Sequence, residues 1–157
     1  MTSLAGSIDR LEGMPEFLET AIEVVTREQA RFSPAPGTFS LLEHACHLRD
    51  LEREGYLVRV RRMVAEKNPA LESFDGAAIA KARDYLSQDA KIAAQEFAAA
   101  RREVTGMLAA LTEQDLAREA SFDGQRITFG DLVSMMVEHD QEHRDEIEAL
   151  MDAIEGE

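Results

Sequence analysis

The chain has 157 residues, a formal net charge of −14 and one cysteine, Cys46. That length fits a single domain with a full hydrophobic core, and we expect residues 1–157 to form one helical domain. The acidity argues against nucleic acid or an anionic membrane surface as partner, since both need a basic face, and a lone cysteine excludes an intrachain disulfide and suits a reducing, cytoplasmic compartment.

The first ten residues have neither a basic start nor a long apolar run, so no signal peptide is read there. No apolar stretch approaches the roughly 18 residues needed to span a bilayer. Tryptophan is absent and β-branched residues never alternate, which favours helices.

Helix one is expected from Met14 or Pro15 to about Arg31, because proline suits a first helical position. Phe17, Leu18, Ala21, Ile22, Val24 and Val25 would supply its buried side, and an earlier turn around Leu4 to Leu11 would lead into it. Ser33-Pro34-Ala35-Pro36-Gly37 breaks the chain. Helix two opens at Ser40, whose hydroxyl and Glu43 three residues on match a capping box. It should run to about Glu66, before Asn68-Pro69, with Leu41, Leu48, Leu51, Gly55, Val58 and Met63 on its inner side. A short helix around Ala77 to Tyr85 follows, with Leu71, Phe74 and Tyr85 as anchors.

Helix three spans about Asp89 to Leu111 on a stripe of Ala93, Phe97, Ala100, Val104, Met107, Leu108 and Leu111. Phe122-Asp123-Gly124-Gln125 reads as a turn, with Arg126-Ile127 extended. Helix four runs from about Phe129 to Ile154, capped by Thr128 with Asp131. Four long amphipathic helices predict an all-α four-helix bundle, and the long second and third connections admit a crossover.

The chemistry concentrates in the four histidines, His44, His47, His139 and His143. His139 and His143 stack one helical turn apart on the stripe of Leu132, Met136, Ile147 and Leu150. Two imidazoles on an apolar face need partners, and shared coordination of a metal supplies one. His44 and His47 lie in the first turns of helix two. A third ligand from that cluster would leave an open position on the ion, the pattern of a catalytic site. On the helical wheel His44 lies nearer the apolar centre than His47. His139-Asp140-Gln141-Glu142-His143 also matches H-x-x-E-H of inverted zinc peptidases, but only 14 residues follow and we read that match as coincidental. Cys46 is taken as a buried structural residue, and Arg59, Arg61 and Arg62 as a basic spot satisfied by surface salt bridges. Asp50, Glu43, Asp140 and Glu142 are carboxylates near enough to be candidate bases.

Phe39-Ser40-Leu41-Leu42-Glu43, the His47-Leu48 pair and His139 with His143 together resemble the signature of the DinB-like (DinB/YfiT) superfamily of small metal-binding four-helix bundles. The resemblance covers nearly the whole chain, although the family usually has tryptophan where Phe39 stands. It implies a three-histidine site of His47, His139 and His143, completed by water and holding zinc or nickel. His44 then becomes a second-shell residue or an alternative ligand. It also implies a homodimer, and thiol-dependent transferase or isomerase chemistry of the kind that uses bacillithiol or mycothiol. The expected function is therefore a divalent-metal-dependent enzyme of small-molecule chemistry, by thiol transfer or metal-assisted hydrolysis. The rival is a non-catalytic metal-binding or stress-response bundle that acts through a protein partner.

Overall fold

The computed structural model describes residues 3–156. Helix α1 spans Leu4–Glu23 and is capped by Ser3, whose side chain accepts from the Gly6 amide. It starts about ten residues earlier than the sequence predicts, so Pro15 lies inside it rather than at its start. The chain bends after Glu23 into a separate turn of helix, α2 (Arg27–Ala30), which carries its own Thr26–Gln29 capping box. That break leaves Val24 69 % exposed, and Leu11 and Met14 take the core positions instead.

The second long helix starts as expected. Ser40 accepts from the Glu43 amide at 3.2 Å while Glu43 accepts from the Ser40 amide at 3.0 Å. It comprises α3 (Leu41–Asp50), a π-helical turn (Leu51–Tyr56) and α4 (Leu57–Ala65). The π-turn shifts the phase of everything after it. Val60 consequently faces the core while Val58, expected inside, is 43 % exposed.

Strand β1 (Ala70–Leu71), helix α5 (Gly76–Arg83) and a 3₁₀ turn (Tyr85–Ser87) lead to α6 (Ala90–Ala109). A second 3₁₀ turn (Asp115–Ala117) and the hairpin β2 (Glu119–Phe122) and β3 (Gln125–Thr128) lead to α7 (Phe129–Glu155). Asp123 and Gly124 turn the hairpin with φ of 49° and 85°, the left-handed pair that a two-residue loop requires. Only Arg126-Ile127 of this hairpin was expected to be extended. β1 pairs parallel to β2, so the sheet ties the two long connections together. Arg118 adds to this by donating to the Val64 and Glu66 carbonyls at the end of α4.

The bundle packs α1 and α3 against both α6 and α7. Its interior has two apolar halves. One gathers Met14, Leu18, Leu48, Phe97, Ile147 and Leu150; the other gathers Leu11, Leu51, Val104, Leu108, Leu132 and Met136. Each long helix passes from one half to the other at one level. The buried polar residues His47, Glu52, Arg101, Asp140 and His143 fall at that crossing. Among the described residues, no helix is long and apolar enough to cross a membrane.

Candidate metal centre

His47 comes to the polar level from α3, two turns after the Ser40 cap, and His139 and His143 come from α7. One ligand-capable atom from each of the three lies within 4.8 Å of the others. Ring centroids are 4.5 Å apart for His139 and His143, 5.0 Å for His47 and His143, and 6.1 Å for His47 and His139. The structure thus brings together the two histidine clusters that the sequence holds about ninety residues apart.

The His47 ring is fixed by what surrounds it. Phe39 and Phe74 lie at 5.4 and 6.3 Å, centroid to centroid. Gly76, at the start of α5, packs directly on the ring. A Cβ there would come within 2.6 Å of His47 Cε1, closer than real Cβ contacts come, and 3.0 Å of Nδ1. Neither Phe74 nor Gly76 was singled out as a site residue. They come from the irregular segment after α4, where no periodicity marks an inward face.

His44 is 2 % exposed and belongs to the same cluster. Its Nδ1 lies 3.1 Å from Nδ1 of His143, a hydrogen bond when one of the two rings carries its proton on Nδ1 and the other accepts there. Its Nε2 is 3.7 Å from Glu146, which also approaches His143 Nδ1 at 3.8 Å. His44, His143 and Glu146 form a second group with ligand-capable atoms within 4.8 Å. Glu146 did carry a sequence signal that was not used: it follows His139 and His143 on the same helix face, at spacings of four and three.

Every imidazole here is held neutral. Burial, reinforced by His47, pushes His44 down to about 4, and burial with His139 does the same for His47. Burial and the three neighbouring imidazoles press His143 down to about 2, while burial lowers His139. Neutral rings keep a lone pair for a ligand. Nδ1 of His47 and Nδ1 of His139 are buried without a hydrogen-bond partner among the described residues. A fold rarely leaves such atoms unpaired, and a cation between the rings removes the need for separate partners. The donor set therefore fits a divalent metal.

Three of the four candidate bases have other roles. Glu43 closes the α3 capping box. Asp50 is buried and accepts from Tyr85 Oη at 2.6 Å and Arg49 Nε at 2.9 Å. Asp140 is buried and accepts from Arg101 at 2.7 and 3.0 Å. Glu142 is exposed on α7. Cys46 is fully buried, with its thiol 3.6 Å from Gln88 Oε1 and pushed up to about 11 by burial, as befits a structural cysteine.

The basic spot divides. Arg61 pairs with Glu103 and Arg62 with Glu66, each at 2.9 Å. Arg59 instead is 5 % exposed and has no salt bridge among the described residues, contrary to the surface pairing expected of it. The π-turn places it inward with Val60 and Tyr56.

Fold and cluster together define a four-helix bundle with a histidine-lined centre between its apolar halves. The chain belongs to the DinB superfamily, which it matches over residues 10–147. It is similar to the structure of YfiT from Bacillus subtilis, described as a probable metal-dependent hydrolase with an unusual four-helix bundle topology. The identity is 24 %, the TM-score 0.87, and the match covers 96 % of this chain and 87 % of that one. No curated protein matches the chain.

Proposed function

We propose that this chain is a divalent-metal-dependent enzyme of small-molecule chemistry, with His47, His139 and His143 holding the ion. The observation that carries the reading is the convergence of three neutral imidazoles, two of which have a buried, unpartnered Nδ1. An all-imidazole set suits zinc or nickel. Bound there, the ion would supply Lewis acidity, lowering the pKa of an oxygen or sulfur nucleophile beside it.

The chain's own residues set the cluster in place. His44 engages Nδ1 of His143 and so fixes that ring's orientation, leaving Nε2 for the ligand role. Glu146 backs both rings from the outer side. Phe39, Phe74 and Gly76 confine His47. Two reactions fit this arrangement. The description of YfiT supports metal-assisted hydrolysis, and the family resemblance supports transfer to or from a low-molecular-weight thiol. The reading includes a homodimer, on the same resemblance, and a cytoplasmic location, on the acidic composition and the single cysteine.

The enclosure of His44, His47 and His143, at 2, 9 and 7 % exposure, favours a second reading: a bundle that holds metal without turnover and acts through a protein partner. Elemental analysis of protein purified without a histidine tag separates bundle from metalloprotein. One ion per chain is expected, lost in His47→Ala and His143→Ala and kept in His44→Ala. Sub-stoichiometric metal after zinc or nickel addition would end the metal reading. Assays of the loaded protein with ester substrates, and with a small thiol and an electrophilic acceptor, then separate enzyme from binding bundle. Light scattering reports the oligomeric state.

A further inference from the structure

Three arginines of this fold are buried: Arg49, Arg59 and Arg101. Arg101 spends its guanidinium on Glu52, Asp140 and the Leu11 carbonyl. Arg49 spends its own on Asp50, Gln88 and Glu96. Arg59 donates only from Nε, to the Glu72 carbonyl at 3.1 Å. Its Nη1 and Nη2 have no ion-pair partner among the described residues and, apart from the nearby Tyr56 hydroxyl, no side-chain acceptor, although the residue is 5 % exposed. With so little of the residue exposed, what its free donors meet is the cavity that it lines.

The surroundings hold that guanidinium ready for a planar anion. The Tyr56 and Phe122 rings lie 5.1 and 4.9 Å from its central carbon. Aromatic rings against the guanidinium carbon leave its N–H donors as the edge that can grip a carboxylate or phosphate with two parallel hydrogen bonds. Gly55, on the π-turn, lies beside the guanidinium: a Cβ there would sit 3.5 Å from Nη2, in van der Waals contact, and 3.0 Å from Leu51 Cδ1.

Arg59 lines a cavity of about 240 Å³ together with Gly55, Ser73 and Phe74. Of the other charged side chains on its wall, two are engaged and the Glu72 carboxylate has no hydrogen-bond or ion-pair partner among the described residues. Arg62 is held by Glu66, and Glu54 pairs with Arg83. Glu72 offers its carbonyl to Arg59. Asp123, whose charge also reaches Arg59, accepts from the Ser73 amide at 3.1 Å. The cavity shares one wall with the histidine cluster: Phe74 lines it and lies 6.3 Å from the His47 ring, centroid to centroid. Tyr56, beside the Arg59 guanidinium, lies 6.1 Å from the His139 ring.

We infer that this cavity binds the anionic group, carboxylate or phosphate, of a small molecule whose reacting end lies at the histidine cluster, and that Arg59 is the residue that recognises it. The anion site stands on its own geometry; the placement of the reacting end rests on the metal-enzyme reading above. The cavity is smaller than a drug-sized site, so it takes one end of a molecule and leaves the rest to extend past Tyr56 and Phe74.

The test is an amide NMR titration of the full chain, metal-free and zinc-loaded, with succinate, inorganic phosphate and the neutral succinamide. Saturable shifts at Gly55, Glu72 and Ser73 are expected with succinate or phosphate and not with succinamide. The stronger of the two anions names the source. Arg59→Gln should weaken that binding by about tenfold or more, the loss expected for a charge-assisted hydrogen-bond pair. Ser73→Asp keeps Arg59 and puts a competing carboxylate on the cavity wall, so it should weaken binding even if Arg59→Gln is too unstable to study. Anion shifts absent from the wild type, or unchanged in both variants, overturn the inference. Zinc content measured on the same samples separates the two readings. Zinc bound without an anion site sinks this inference alone, and an anion site in a chain that never holds zinc sinks the metal reading and leaves this one.

Discussion

Arg101 donates from Nη1 to the carbonyl of Leu11 at 2.8 Å, across the bundle from α6 to α1. That carbonyl is the one left without a helical donor by Pro15, four residues on, whose nitrogen carries no hydrogen. The same guanidinium grips Glu52 at 2.8 and 2.9 Å and Asp140 at 2.7 and 3.0 Å. One buried side chain thus repairs the proline defect and ties α1, the π-turn and α7 to α6.

Removing it should be severe. Arg101→Met leaves Glu52 and Asp140 buried without their cation, and breaking one side of such a network costs about 3–5 kcal/mol. Urea unfolding should show that loss. Glu52→Gln should cost less, because burial already drives the Glu52 carboxyl toward its neutral form. Equal losses in the two variants would contradict this account of the network.

Gly76→Ala tests how tightly His47 is placed. A new Cβ 2.6 Å from Cε1 forces the ring to move, and Phe39 and Phe74 leave it little room. We expect metal affinity to fall about 10- to 100-fold, the range seen when residues supporting a ligand are altered, with helical circular dichroism unchanged. Competition with a chromophoric chelator measures it, and an unaltered affinity would show that His47 is not a ligand.

The metal-free protein should lose stability as pH falls below about 6.5. His44 and His47 are pushed down to about 4 and His143 to about 2, from an unfolded value of 6.5. A depressed histidine binds fewer protons when folded than when unfolded. Its contribution is therefore intact above 6.5 and declines as pH falls toward the folded value. Glu52 and Glu146 are raised by burial and act in the opposite sense, being relieved on acidification. Three strongly depressed imidazoles outweigh them. Unfolding free energies from pH 7.5 to 4.5 should show a positive slope that shrinks by about one proton in His44→Ala. A flat profile in the wild type would refute the neutral cluster.

Ser40→Ala removes the acceptor for the Glu43 amide at the start of α3. The expected cost is about 1 kcal/mol. Hydrogen exchange should quicken in the first turns of α3, which carry His44 and His47, while α7 is unaffected.

Much of this fold is written in short stretches. Ser40 with Glu43, Thr128 with Asp131 and the Asp123-Gly124 turn each act within three or four residues, and the chain obeys them. The three-and-four spacing of His139, His143 and the apolar residues around them likewise placed α7 and one side of its cluster. Pro15 misled because its cost inside a helix is offset by Arg101, which donates to the freed Leu11 carbonyl from 90 residues along the chain. The π-turn at Leu51–Tyr56 shifted the inner face of the second long helix, which hid the burial of Arg59 and exposed Val58. Sequence alone thus determined the helical bundle, its caps and the presence of two histidine clusters, since hydrogen bonding and apolar period are local. Only the tertiary structure decided that His47 meets His139 and His143, that His44 lies against His143, and that Arg59 is buried without an ion-pair partner. Those depend on where four helices cross, which is set by packing between residues far apart in the chain.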